Sequence, residues 1–221
     1  GGDTISTNIA LAKRRGYTVI AGVNASPFDT SNGVTVGTTI QNGRIVVSKS
    51  GELSTEYDNV AFCKDGSPYI GHPNFEFSYT SSSGANVKIN YLNRPKKEAN
   101  NNVYLFSRDL YSDTRNTNAS CEVVLKIDSG DLIVGTEIKC TVEKVNENAT
   151  KTAIEEGKYV LVGPSLSALG NLKVGETVTI SIKDNDPNFD WSKVEQTISG
   201  FYQILKDGKS MKKWCFCPWF Q

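Results

Sequence analysis

Apolar residues in this chain recur mostly at every second position, and that period predicts strands rather than helices. The first segment differs. Ile9, Ala10, Leu11 and Ala12 give an apolar side, Lys13, Arg14 and Arg15 suit a helix C-terminal end, and Gly16 supplies a stop, so Thr7–Arg15 reads as a short helix. Tyr17–Val23 then reads as a buried strand, reached through glycine by a common helix-to-strand step. Asn24–Asp29 is a polar turn directly after that apolar run, a place where sheets often present their chemistry.

From residue 40 the alternation takes over. Ile40–Val47 reads as a hairpin turning at Asn42-Gly43, and Val60–Cys63 with Tyr69-Ile70 as a second one turning at Lys64–Gly66. Phe75–Tyr79 and Val87–Tyr91 look like half-buried strands separated by the Ser81–Gly84 loop, with Phe75, Phe77 and Tyr79 sharing a face either as core or as a sugar-stacking platform. Lys96–Asn102 is polar and reads as an exposed loop before the strand Val103–Phe106. Glu122–Ile127 and Glu137–Val142 pair around Gly130-Asp131, Lys158–Val162 is a buried strand, and Glu176–Ile182 alternates throughout. Ser165–Asn171 reads as a short helix with Leu166 and Leu169 inward, Asp184–Asp190 as an acidic loop, and Ile198–Leu205 with the Lys206–Gly208 turn as the last β unit. The expected class is α+β: a sheet-dominated single domain over residues 1–209, with many short antiparallel strands and two or three short helices, followed by an aromatic and cysteine-containing tail over 210–221.

Composition narrows the function. The 221 residues carry 24 Lys+Arg and 24 Asp+Glu, so bulk charge does not argue for nucleic acid or for a membrane surface. The longest apolar runs are a few residues, far short of the roughly 20 that span a bilayer. The single histidine, His72, excludes multi-histidine zinc sites, and any histidine-based triad would have to use it. P-loop and GxGxxG patterns are absent. Five cysteines, Cys63, Cys121, Cys140, Cys215 and Cys217, leave at least one thiol unpaired within the chain. Cys215 and Cys217 would share a strand face, as small hydrophobes, a soft-metal pair or a disulfide. Asn24, Asn118 and Asn148 head Asn-x-Ser/Thr triplets, which matter only in a eukaryotic secretory protein. The chain starts at Gly1-Gly2 with no signal-peptide pattern, so the expectation is that any export signal is either removed or never present.

An ordered set of motifs carries a resemblance. Ala21–Asp29 with Gly33, Gly37 and Asn42-Gly43 is followed by Ala61–Gly71, then Ile89–Pro95, then Thr114-Arg115 with Glu122–Leu125. Gly157–Val162, Leu172–Gly175, Ile198–Gly200 and Leu205–Gly208 complete it. Together these resemble the phosphodiester glycosidase family, the N-acetylglucosamine-1-phosphodiester α-N-acetylglucosaminidase-like domains. The departures are Pro27 in place of the first of two aromatics, Val36 in place of a proline, and Ser199-Gly200-Phe201 in place of a glycine pair. The family's C-terminal strand and Asp-Gly-Gly motif have no counterpart after Lys209.

The resemblance implies a secreted or cell-surface hydrolase that cleaves sugar-1-phosphodiester linkages in glycans or polysaccharides; no cofactor is expected, and no residue is singled out as a metal ligand. A carbohydrate or sugar phosphate would be its substrate. The missing C-terminal motifs imply weak or no activity, and the alternative is a non-catalytic carbohydrate-binding or interaction module on the same fold. The chemistry passes through an oxocarbenium-like state and releases a phosphate. Asp29 is therefore the candidate carboxylate and Asn24 its partner or a sugar-hydroxyl contact, unless both simply cap a turn. Arg115 and then Arg94 are the candidate phosphate contacts, Arg115 otherwise being a solvated loop residue. Phe28 and His72 complete the substrate-binding set, His72 in Gly-His-Pro reading as a loop residue or a general base. Loss of the final strands would leave a sheet edge, to be covered by the Trp214–Phe220 tail, by a second copy or by a strand-completing partner chain.

Overall fold

Alternation decides which face of each strand goes inside, and cross-strand register then stacks those faces into one core. The computed structural model of the chain describes residues 4–22, 25–48, 58–96, 100–200 and 205–210. Its elements run α1 (Ile5–Arg14), β1 (Thr39–Gln41), β2 (Arg44–Val47), β3 (Asn59–Cys63), β4 (Pro68–Gly71), β5 (Phe75–Ser81), β6 (Asn86–Ile89), β7 (Tyr91–Leu92), β8 (Tyr104–Phe106), β9 (Ser120–Ser129), β10 (Glu137–Ala149), β11 (Lys158–Gly163), β12 (Thr177–Asp184), a 3₁₀ turn at Trp191–Lys193, β13 (Val194–Ser199), β14 (Leu205–Lys206) and β15 (Lys209–Ser210).

Phe77 and Tyr79 of β5 face Ile182 and Ile180 of β12, whose Ile180 and Val178 in turn face Ile138 and Cys140 of β10. All seven side chains are buried, while Glu76, Thr80 and Lys139 between them point outward. This layer belongs to an eight-stranded sheet of order β6-β5-β12-β10-β9-β11-β8-β7. A five-stranded sheet of order β2-β1-β13-β3-β4 lies beside it. Every pair is antiparallel except β7 with β8. The two sheets are stitched together where Ile45 N–H donates to Leu132 O at 2.7 Å and Leu92 N–H to Ser48 Oγ at 2.9 Å. The result is a nearly closed, barrel-like wall around one main core.

The central strands β9 and β11 are apolar on both faces, because both faces are covered. Val123, Leu125, Tyr159 and Leu161 enter the main core. On the opposite face Val124, Val160 and Val162 meet Tyr104, Phe106, Tyr111, Ile154 and Val34, a second core lying under the loops. Cys63, Cys121 and Cys140 are buried free thiols, with burial pushing Cys121 up to about 11 and Cys140 up to about 12. The predicted hairpin turns hold: Asn42 and Gly43 both adopt positive φ, as a two-residue turn requires.

Several expectations are corrected. The class is mostly β: among the described residues there is one α-helix, α1, and one 3₁₀ turn. Ser165–Asn171 forms consecutive turns, with Leu169 N–H donating to Ser165 and Leu166 carbonyls and Leu169 buried as expected. Tyr17–Gly22 is not a buried strand; no described strand pairs with it, Ile20 is 96% exposed, and Gly22 instead lies against Ile5 and Ile9 of α1. Lys96 is buried rather than in an exposed loop, its Nζ donating to Ser120 Oγ at 2.8 Å. The last β unit starts earlier, at Val194, where β13 pairs with β3. Val23, Asn24, Phe201–Ile204 and the Trp214–Phe220 tail with Cys215 and Cys217 lie outside the described residues. No described helix is long and apolar enough to cross a membrane.

Two expected outcomes follow from this packing. A Cβ on Gly37 would overlap the Cβ of Ser199, so the chain before β1 can lie against the end of β13 only with glycine there. Gly37→Ala should cost about 2–3 kcal/mol in urea unfolding, and adding Ser199→Gly should restore most of it; strictly additive losses would disprove the close approach. Glu176 accepts N–H bonds from Ser83 and Lys173 and joins the β5–β6 turn to β12. Donation from Ser83 is the main reason its carboxyl is held at about 2 rather than the ordinary 4.5, burial opposing. A depressed carboxylate stabilises the fold above the unfolded value and loses that contribution as pH falls toward the folded one. The stability difference between wild type and Glu176→Gln should therefore shrink between pH 4.5 and pH 2, and a pH-independent difference would contradict the assignment.

Candidate functional site

Phe28, Asp29, Arg94 and His72 lie near the end of the five-stranded sheet where β2, β4 and β13 finish and β1 and β3 begin. The segment before β1 is a small hairpin: Val36 N–H donates to Pro27 O at 2.8 Å, Phe28 bridges Thr35, and Asp29 N–H donates to Val34 O at 2.9 Å. Asp29 begins its tip. Its Oδ1 accepts from Ser31 N–H at 2.9 Å and from the Ser31 hydroxyl at 2.6 Å, and its Oδ2 from Asn32 Nδ2 at 3.0 Å. Asp29 thus shapes the turn, as its residue type favours. Phe28, 55% exposed, stands beside it.

Arg94 clamps this hairpin to the body. The residue is 8% exposed, and its guanidinium donates to the carbonyls of Thr35, Val36, Gly37 and Ser48, with Nε to Ser48 O at 2.7 Å and Nη2 to Val36 O at 2.9 Å. Five N–H donors in a planar fork make Arg the residue that can serve several carbonyls at once. Its neighbour Asn93, buried at φ +52°, donates to Val46 O and Ser107 Oγ at 2.7 Å each. The Asn-x-Pro segment of the sequence is therefore first a structural joint between β2, β7 and β8.

Arg115 comes from the loop between β8 and β9, and its placement has a buried cause. The residues on both sides of it, Thr114 and Asn116, are fully buried and end on Glu122 of β9. Thr114 Oγ1 donates at 3.0–3.1 Å and Asn116 Nδ2 at 3.0 Å, while Thr152 N–H adds a bond of 3.0 Å. A buried carboxylate needs such a set of donors. Arg115, pinned between two anchored neighbours, takes φ +53° and lays its guanidinium over the Tyr111 ring, 4.9 Å from the centroid. Burial holds the Tyr111 phenol above its ordinary range, and its hydroxyl lies within electrostatic reach of Arg115, Arg94 and Asp29. Asp29, Arg94 and Arg115, more than eighty positions apart at the extremes, thus share one neighbourhood around Tyr111, a residue the sequence reading did not single out.

His72 sits elsewhere on the same rim. Its Nε2 lies 3.1 Å from Asp58 Oδ1, and Asp58 O accepts from Gly200 N–H at the end of β13. Between these points a cleft of about 320 Å³ is lined by Thr38, Ser48, Asn74, Phe75, Asn90 and Tyr91 among others. Phe75 and Tyr91 are half-buried there, whereas Phe77 and Tyr79 belong to the core. Asn24 lies outside the described residues. Among the described residues no cluster of three or more His, Cys, Asp or Glu side chains could hold a metal ion.

No family model and no curated protein matches the chain. Among solved structures, a hypothetical protein from Synechocystis is similar with a TM-score of 0.61 at 13% identity, covering 86% of this chain and 33% of that one. A protein from Burkholderia pseudomallei K96243 named "Putative exported protein" is similar with a TM-score of 0.58 at 17% identity, covering 90% of this chain and 43% of that one. The chain spans less than half the length of both, and at these identities the likeness is one of fold.

Proposed function

We propose that the chain is a phosphodiester glycosidase-like domain that binds a sugar-1-phosphodiester of a glycan or polysaccharide and cleaves it at the sugar–phosphate bond. The observation that carries this reading is that the Asp29 hairpin, Arg94 and Arg115 meet at Tyr111: Arg115 lies over its ring, Val34 of the hairpin packs in its cluster, and Arg94 bonds the hairpin's Val36 carbonyl. Breaking the bond between the anomeric carbon and the phosphate oxygen develops positive charge on the sugar and negative charge on the leaving group. In this reading Asp29 faces the first and Arg115 the second, while Arg94 acts by holding the Asp29 hairpin in place. Asn24 orients Asp29 or takes a sugar hydroxyl, Phe28 offers an exposed ring to the sugar face, and the cleft beside Ser48 and Tyr91 takes further sugar or aglycone. A secreted or cell-surface setting agrees with the name of the Burkholderia neighbour.

A second reading, a carbohydrate-binding module without turnover, is favoured by one observation. The Asp29 carboxylate already accepts three hydrogen bonds within its own turn. A methyl phosphodiester of N-acetylglucosamine separates the two. Release of free sugar, with Asp29→Asn reducing the rate by about 100-fold or more and Arg115→Gln by about tenfold or more, is the result expected of the glycosidase. Saturable binding without sugar release selects the module. Neither binding nor release would remove both.

A further inference from the structure

Tyr111 carries a polar atom with nothing to bond. The residue is 9% exposed, and its Oη is buried without a hydrogen-bond partner among the described residues. Buried phenols normally find one, since a hydroxyl taken out of water and left unmatched is destabilising. The surroundings are specific. On one side Val34, whose carbonyl closes the Asp29 hairpin, packs in the same apolar cluster as Tyr111. On the other side Arg115 covers the ring. Arg115 also holds a left-handed backbone conformation, φ +53°, that a long side chain adopts only when its neighbours enforce it. They do so here: Asp113 Oδ1 accepts the Arg115 N–H at 2.7 Å, and Thr114 and Asn116 are anchored on Glu122. A strained backbone, a charged side chain resting on an aromatic face and an unmatched donor on that same ring thus coincide.

We propose that Tyr111 is the buried donor of a phosphate subsite and Arg115 its movable cap. The guanidinium leaves the ring face to pair with the phosphate oxygens, and the uncovered Oη donates to the same anion. That the anion is the phosphate of a sugar phosphodiester rests on the functional reading above; the subsite itself does not. Because burial keeps the phenol above its ordinary range, it retains its proton at neutral pH and acts as a donor.

Titration with inorganic phosphate at fixed pH and ionic strength, followed by amide chemical shifts, tests this in the full chain. Tyr111→Phe should weaken phosphate binding by about tenfold, and Arg115→Gln, a surface change, by a similar factor. Tyr111→Phe should at the same time leave Tm unchanged or raise it, because the lost hydroxyl has no partner to lose. Undiminished binding in Tyr111→Phe, a lowered Tm, or no phosphate binding by the wild type would each overturn the inference. Phosphate binding that depends on Tyr111, in a protein that neither binds nor cleaves sugar phosphodiesters, would uphold the subsite and remove the glycosidase reading. Sugar-phosphodiester cleavage with phosphate binding indifferent to Tyr111 would do the reverse.

Discussion

A buried guanidinium holds the candidate site together. Arg94 reaches from the end of β7 to the carbonyls of Thr35, Val36 and Gly37 on one side and of Ser48 on the other. Bonds from a charged donor to carbonyls are each worth about 1.5–3 kcal/mol, and a buried charge without them would be prohibitive. The Asp29 hairpin has a small apolar share of its own: Val34 is its one buried side chain, and Pro27 and Val36 are half-buried. Arg94 therefore converts a mobile type of element into one with a fixed position over Tyr111. The same contact crosses from the five-stranded sheet to the eight-stranded one, so the rim that carries the site is also the seam of the barrel-like wall.

Much of the fold is written in local patterns. Alternation at Phe75–Tyr79 and Glu176–Ile182 needs only a partner strand to become a core face, and each is the other's partner. Turn chemistry at Asn42-Gly43 and Lys64–Gly66 fixes hairpins through backbone conformations few other residues adopt. The failures share a cause. Tyr17–Val23 has the apolar run of a buried strand, yet burial depends on a neighbour that no local pattern specifies. Among its described residues, Gly22 lies against Ile5 and Ile9 of α1 rather than against a strand. Leu166 and Leu169 have helical spacing, but Gly170 and Asn171 at positive φ end the segment as turns. Lys96 looks like a loop lysine and is buried because Ser120 and the nearby Glu122 receive it; burial lowers its ammonium below the ordinary range while Glu122 pulls it back.

Part of the candidate site can be read in the sequence, and part of it only from packing. Asp29 stands out as the one carboxylate of a polar turn and Arg115 through the motif resemblance alone, and both lie within electrostatic reach of Tyr111. Arg94 also stands out, but its sequence does not say that its donors face the backbone rather than a ligand. Tyr111 gives no signal at all: an aromatic residue between Leu110 and Ser112 in a loop has no period to read, and its unmatched hydroxyl is a property of packing alone. Glu122 likewise reads as a strand residue, although it positions Arg115 from below through Thr114 and Asn116.

The claim that Arg94 fixes the hairpin is tested most directly by amide hydrogen exchange in wild type and Arg94→Lys. A lysine's single nitrogen cannot replace the separate bonds that Nε makes to Ser48 O, Nη1 to Thr35 O and Nη2 to Val36 O. Protection of the Asp29, Gly33 and Val36 amides, each bonded within the hairpin, should fall by about tenfold or more while the amides of β9 and β11 keep theirs. Equal protection of the hairpin in both proteins would contradict the account.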